Sequence, residues 1–234
     1  MKLFKIITIF PEFFESPLKS SLLGKAVSSE IIKIEIIDLK SYAGNKFYRV
    51  DDYPYGGGSG MVLKPEPLFK AIKSNTDEKT KILLTTPSGI LMTHDIVKEL
   101  NKEDSLCIIC GHYEGVDQRV IDRFVDYEIS IGDYILSGGE YAALVIIDTI
   151  ARQQPGFMSN PDSLNEESFE RGLLEYPHYT RPADIEGLKV PDILISGNHG
   201  KIKEWHLQQS IEKTSRIRPD LYKKYISGQP EGDE

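Results

Sequence analysis

Five short apolar runs separated by helix-like stretches constrain this chain most: Leu3–Phe10, Ile31–Ile37, Ile82–Leu84, Leu106–Cys110 and Tyr127–Ile131. A strand with one wet face alternates apolar and polar residues, whereas these runs are nearly continuous and predict strands covered on both faces. Strands of that kind, alternating with helices, imply an α/β domain with a largely parallel sheet. Tyr141–Arg152 reads as a helix, with Glu140 at its start, Ala142 and Ala143 inside, and Pro155-Gly156 as its stop.

With 234 residues and 40% hydrophobic content, the chain can form one large or two modest domains, each with a packed core. No run approaches the roughly 18 apolar residues of a membrane span. The first run is interrupted by Lys5 and closed by Pro11 and Glu12, so it reads as a buried strand rather than a secretory signal. A cytoplasmic location is expected. After the helix the texture changes, and Phe157–Glu167 becomes rich in Ser, Asn, Pro, Asp and Glu, as a linker does. Ile202–Arg216 is helical beyond it and carries Trp205, which is expected in a core. The domain boundary is placed near Asn160, and Gly228–Glu234 reads as a loose acidic tail.

Cys107 and Cys110 have C-x-x-C spacing, which suits a redox or zinc site. On a strand, however, residues three apart point to opposite faces, and no second pair completes a metal site. Buried core residues are the expectation, with no metal site. A net charge of −8 is a poor match to a nucleic-acid binder, which needs Lys and Arg against phosphate. The distribution is less adverse. Between Arg171 and Ile226 there are ten basic residues against seven acidic ones.

The richest chemistry lies in glycine segments that follow apolar runs. Ser130–Glu140 (SIGDYILSGGE) and Cys110–Gly115 (CGHYEG) both set Gly beside Tyr and Glu. Glycine permits close backbone approach, so such loops either read a flat heterocycle through backbone groups or simply turn the chain. Neither G-x-G-x-x-G nor G-x-x-x-x-G-K-[ST] is present, so Rossmann and P-loop readings lack support. Tyr55–Met61 (YGGGSGM) and Tyr176–Pro182 (YPHYTRP) complete a set of four motifs.

In their order and spacing these motifs resemble the bacterial tRNA (guanine-N1)-methyltransferases of the TrmD family, within the SPOUT superfamily, from about Lys2 to about Tyr225. The resemblance implies a SPOUT-type parallel sheet with a C-terminal trefoil knot, which base rates alone would exclude, plus a small, mainly helical C-terminal domain. It divides the chain into a cofactor-binding methyltransferase domain (1–160), a linker (161–172) and a tRNA-binding domain (173–234). It also implies a homodimer with composite active sites, Tyr55–Met61 lying at the interface. S-adenosyl-L-methionine is the implied methyl donor and tRNA the partner; magnesium is suggested by the likeness alone.

Carried across residue by residue, the cofactor loops fall on Thr85, Thr86 and Pro87, on Gly111, Tyr113, Glu114 and Gly115, and on Ser130, Ile131, Gly132, Tyr134, Ile135, Leu136, Gly138 and Gly139. Glu114 meets a polar group of cofactor or guanine, or is a solvated loop carboxylate. Ser168, Tyr179, Arg181, Ser196 and Asn198 are the implied RNA contacts, and His178 a hydrogen-bonded structural residue.

Guanine N1 carries a proton, so its methylation needs a base at N1 and a donor for charge developing on O6. The family pattern puts these roles on Glu167 and Arg152. The family usually has Asp where this chain has Glu167, one methylene longer, and a displacement of about 1 Å can cost on the order of a hundredfold. Either the linker accommodates the longer arm, or Glu166 or Glu175 shares the work. Arg152 also suits the C-terminal dipole of its helix. The implied reaction is methyl transfer to N1 of the guanosine immediately 3′ of the tRNA anticodon. The alternatives are a SPOUT enzyme for another RNA nucleoside, or an RNA-binding dimer that has lost turnover.

Overall fold

The structure, a computed structural model, describes residues 1–44, 46–158, 160 and 167–228. The chain divides into two compact units, Met1–Ser159 and Asn160–Glu234.

The first unit is built on a five-stranded sheet in the order β2-β1-β6-β5-β7, from β1 (Lys2–Thr8), β2 (Ile32–Asp38), β5 (Thr80–Leu91), β6 (Ser105–Cys110) and β7 (Tyr127–Ser130). Every pairing in it is parallel. Helices α1 (Ser21–Ser28), α2 (Pro65–Asn75), α3 (His94–Asn101), α4 (Gln118–Phe124) and α5 (Glu140–Ala151) accompany the strands, and a short antiparallel pair, β3 (Asp51–Asp52) and β4 (Val62–Leu63), lies apart from the sheet.

The continuous apolar runs have the cause the pattern predicts. Phe4 and Ile6 of β1, with Leu106, Ile108 and Cys110 of β6, pack in one core cluster together with Ile146, Ile147 and Ile150 of α5. Ile7, Cys107 and Ile109 point the other way, into a second cluster with Leu68 and Ile72 of α2 and Val120 of α4. The two thiols therefore diverge into opposite cores, both buried. Burial pushes Cys107 up to about 12 and Cys110 well above the ordinary thiol range.

Strand β5 departs from expectation by running on through Thr86-Pro87-Ser88-Gly89, where the family likeness implies a cofactor loop. It leaves β6 after Thr85 and stays with β7 across a register shift between Thr85 and Ile90. The irregularity absorbs the proline, which cannot donate to a regular ladder.

The second unit holds β8 (Asp184–Ile185) paired antiparallel with β9 (Leu188–Lys189), then α6 (Asp192–Ile195), α7 (His199–Ile217) and α8 (Pro219–Ser227). Helix α7 begins three residues before the predicted start because the Asn198 side chain caps it, accepting from the Lys201 amide at 3.2 Å. Trp205 corrects the core expectation. It is half-buried on α7, with its ring 6.4 Å from Tyr179 and 5.7 Å from His206. Half of the predicted linker, 161–166, and the predicted tail beyond Gly228, 229–234, lie outside the described residues. Among the described residues no helix is long and apolar enough to cross a membrane.

Candidate functional site

Parallel strands deliver successive loops to the same edge of a sheet, and ligands collect outside their C-terminal ends. Here the irregular stretch of β5 and the loops after β6 and β7 meet at one cavity of about 440 Å³. That volume falls in the usual range for small-molecule sites. All three predicted cofactor segments line it. They are Thr85, Thr86 and Pro87 from β5; Gly111, Tyr113, Glu114 and Gly115 after β6; and Ser130, Ile131, Gly132, Tyr134, Ile135, Leu136, Gly138 and Gly139 after β7. Leu84, Ser88, His112, Glu128 and Ala142 also line it, and the sequence reading did not single them out.

Hydrogen bonds from glycine amides tie these segments together. The Gly139 amide donates to the Gly111 carbonyl at 2.8 Å, and the Gly111 amide donates to Thr85 Oγ1 at 3.2 Å. A Cβ on Gly139 would collide with Thr85 Oγ1 and lie 2.7 Å from the Gly111 amide nitrogen, so glycine is required by this close approach. Between Gly111 and Gly115, Tyr113 takes a left-handed φ of 59°, an uncommon conformation for a non-glycine residue and one met at ligand sites. Its ring is half exposed, and burial followed by the charge of Asp51 raises its phenol. The Glu114 amide donates to the Met61 carbonyl at 2.9 Å, which fastens this loop to the end of the Tyr55–Met61 glycine segment.

Beneath the wall lies a buried polar cluster. Thr8 Oγ1 donates to Glu140 Oε1 at 2.6 Å, and His112 Nε2 lies 2.7 Å from Glu140 Oε2. Burial opposes ionisation of Glu140, but the His112 and Thr8 donors outweigh it and hold its carboxyl below the usual range.

The remaining predicted residues are elsewhere. Arg152 is the C-cap of α5 in the first unit and does not line the cavity. Glu167 belongs to the second unit, in the wall of a separate cavity of about 340 Å³ with Arg171, Glu175, Tyr176, Lys203 and His206. The Tyr176 and His206 rings stack there at 3.6 Å and 4°. The Ser168 hydroxyl accepts from the Glu175 amide at 3.0 Å, and the Glu175 carboxylate pairs with His178 at 2.8 Å, which gives His178 the hydrogen-bonded place expected of it. Tyr179, Arg181, Ser196 and Asn198 are exposed on the second unit. Glu166 lies outside the described residues. Among the described residues no group of three or more His, Cys, Asp or Glu is placed to hold a metal ion.

A family model described as tRNA (guanine-1)-methyltransferase TrmD matches residues 1–224. Relatives named tRNA (guanine-N(1)-)-methyltransferase include those of Dictyoglomus turgidum, 52% identical over 94% of this chain and 89% of the relative, and Brevibacillus brevis, 50% identical over 94% and 90%. The relative from Caldicellulosiruptor saccharolyticus is 53% identical over 93% of this chain and 89% of its own length.

Proposed function

This chain belongs to the tRNA (guanine-1)-methyltransferase family, and we propose that it transfers a methyl group from S-adenosyl-L-methionine to N1 of the guanosine immediately 3′ of a tRNA anticodon. The convergence of two glycine loops and the irregular stretch of β5 on one cavity carries the cofactor half of this reading. The cavity suits that molecule in size. Its close-packed glycine backbone leaves room for a flat ring, and the Glu114 and Glu128 side chains in the lining suit a positively charged sulfonium. When bound, the cofactor supplies an electrophilic methyl on that sulfonium.

The chain's residues then have four tasks. The backbone around Gly111 and Gly138-Gly139 orients the donor, and the apolar Ile131, Ile135 and Leu136 exclude water. Glu167 takes the N1 proton and Arg152 steadies the charge gathering on O6. Glu175, whose carboxylate pairs with His178, lines the same wall as Glu167 and is the other carboxylate to test.

In this reading residues 1–160 form a SPOUT domain, knotted where the cavity segments cross. Residues 161–172 are a linker, and 173–234 grip tRNA in a cytoplasmic homodimer. The local excess of Lys and Arg after Arg171 supports the tRNA assignment.

The test is mass spectrometry of nucleosides after incubating protein, S-adenosyl-L-methionine and unmodified tRNA. 1-Methylguanosine at the position after the anticodon is expected. A methyl group on another nucleoside would replace the substrate assignment, and tRNA binding without turnover would mean that the Glu167 change has silenced the site.

A further inference from the structure

Among the described residues Glu140 is the buried carboxylate of the first unit, and it joins three distant stretches of chain. Its Oε1 accepts from Thr8 at the end of β1, its Oε2 faces His112 in the loop after β6, and its own backbone starts α5 directly after the cavity loop that follows β7. A carboxylate in the first turn of a helix is also favoured by the helix dipole. Thr8 is fixed in turn, its hydroxyl accepting from the Phe10 amide at 2.9 Å. The Phe10 ring meets the His112 ring edge-on at 5.1 Å.

Gly138 shows what this cluster supports. A Cβ built there would run into His112 Nε2 and Cε1 and come within 2.6 Å of Glu140 Oε2. The space under Gly138 is thus filled by the His112–Glu140 hydrogen bond itself. Gly138 is not at a positive φ, so it is the nearness of this pair, and not backbone strain, that denies it a side chain. Glu140 does not line the cavity, whereas His112, Gly138 and Gly139 do.

We propose that the His112–Glu140 hydrogen bond is a strut that sets the height of the Gly138-Gly139 wall, and that Glu140 is a positioning residue for the cofactor, acting through His112 and Gly138. The inference rests on the cavity being the S-adenosyl-L-methionine site. Moving aside to admit a side chain at position 138 would cost His112 its bond and leave the buried carboxylate with Thr8 as its remaining side-chain donor.

A double-mutant cycle on the full chain tests it, read by calorimetric titration with S-adenosyl-L-methionine. Gly138→Ala should weaken binding about a hundredfold, the scale of a wall displaced by about 1 Å. His112→Ala should weaken it about tenfold by removing the strut. In the double variant the new methyl group fills the space the imidazole leaves, so affinity should return to within about tenfold of His112→Ala alone instead of falling by the product. His112→Gln, whose amide can donate to Glu140, should bind more tightly than His112→Ala, and tRNA affinity should be the same in all of them. Additive losses, or a Gly138→Ala protein that binds like wild type, would overturn the strut. Should Gly138→Ala fail to fold, equal affinity of His112→Gln and His112→Ala would overturn it. If wild type takes up no cofactor, the reading of the cavity fails and the strut falls with it; wild-type binding with additive variants refutes the strut alone.

Discussion

The two thiols of β6 report how the cavity floor opens. Cys107 and Cys110 are 0% and 2% exposed, and burial moves Cys107 from an ordinary value of 9.0 to about 12. A shift of about three units lowers the thiolate fraction at pH 8 by about a thousandfold, and the thiolate is the reactive species. Loss of access adds to this, so labelling by a disulfide reagent must pass through a state in which β6 has left the sheet. That strand is central, paired to β1 on one side and β5 on the other, and Cys110 immediately precedes Gly111 of the cavity. An opening that frees Cys110 therefore dismantles the cavity, and S-adenosyl-L-methionine must suppress it. At a hundred times its dissociation constant the cofactor stabilises the closed form by about 2.7 kcal/mol, so both thiols should label about a hundredfold more slowly. Peptide mass spectrometry over a labelling time course measures each site separately. Native labelling within tenfold of the urea-unfolded rate would refute the burial argument. Binding seen by calorimetry with unchanged Cys110 labelling would place the cofactor away from the loop that Cys110 begins.

Other consequences follow from single groups. Glu167→Gln should lower single-turnover methyl transfer at saturating tRNA by about 10² to 10⁴, the range of general base catalysis, with Glu167→Asp losing much less; a defect confined to tRNA affinity would make the residue a docking contact. Mixing Arg152→Ala with Glu167→Ala protein should restore part of the activity through hybrid dimers, and a monomer by sedimentation at assay concentration would exclude this. Lys2 is 3% exposed, its ammonium donating to the Leu100 carbonyl at 2.7 Å, the Asn101 carbonyl at 3.2 Å and the Glu103 carbonyl, yet burial lowers it from 10.5 to about 8 against the opposing charges of Glu103 and Asp104. Between about pH 8 and 10.5 the unfolded chain keeps a proton that the folded one has released, so wild type should gain about 3 kcal/mol relative to Lys2→Met across that window, measured by urea midpoints. No relative gain would mean that the three carbonyls hold the ammonium charged.

The sheet was legible because its strands bury both faces. Ile6 and Ile7 serve opposite cores, as do Cys107 and Ile108, and no polar residue is needed between them. The far half of β5 was not legible, since Thr-Thr-Pro-Ser-Gly has the composition of a turn and only pairing to β7 holds it extended. Trp205 misled for a related reason. A lone aromatic on a helix looks like core, but in this small unit the neighbouring aromatics form a partly open cluster with Tyr176, Tyr179 and His206. The glycines after β6 and β7 mark where backbone must approach backbone, but they left a plain turn open, and it was the family likeness that carried the cofactor loops onto these residues and onto Thr85-Thr86-Pro87. Their support was hidden, because Thr8 and Glu140 stand 132 residues apart and nothing local to either points to the other.

The same chemistry separates the carboxylates that a sequence lists as equals. Glu140 is buried, both its oxygens are engaged by Thr8 and His112, and its carboxyl is held below the usual range, so it stays ionised and fixed. A group in that condition orients others but accepts a proton poorly, because protonation would sacrifice charge-assisted hydrogen bonds in a dry site. Glu175 is committed to His178. Glu167 is half-buried in the wall of an open cavity, among Arg171 and Lys203. A base must exchange its proton with substrate and then with solvent, which an open wall allows and a sealed core forbids. Within the proposed function, the proton transfer suits Glu167 at an accessible wall and the architectural task suits Glu140 in the core.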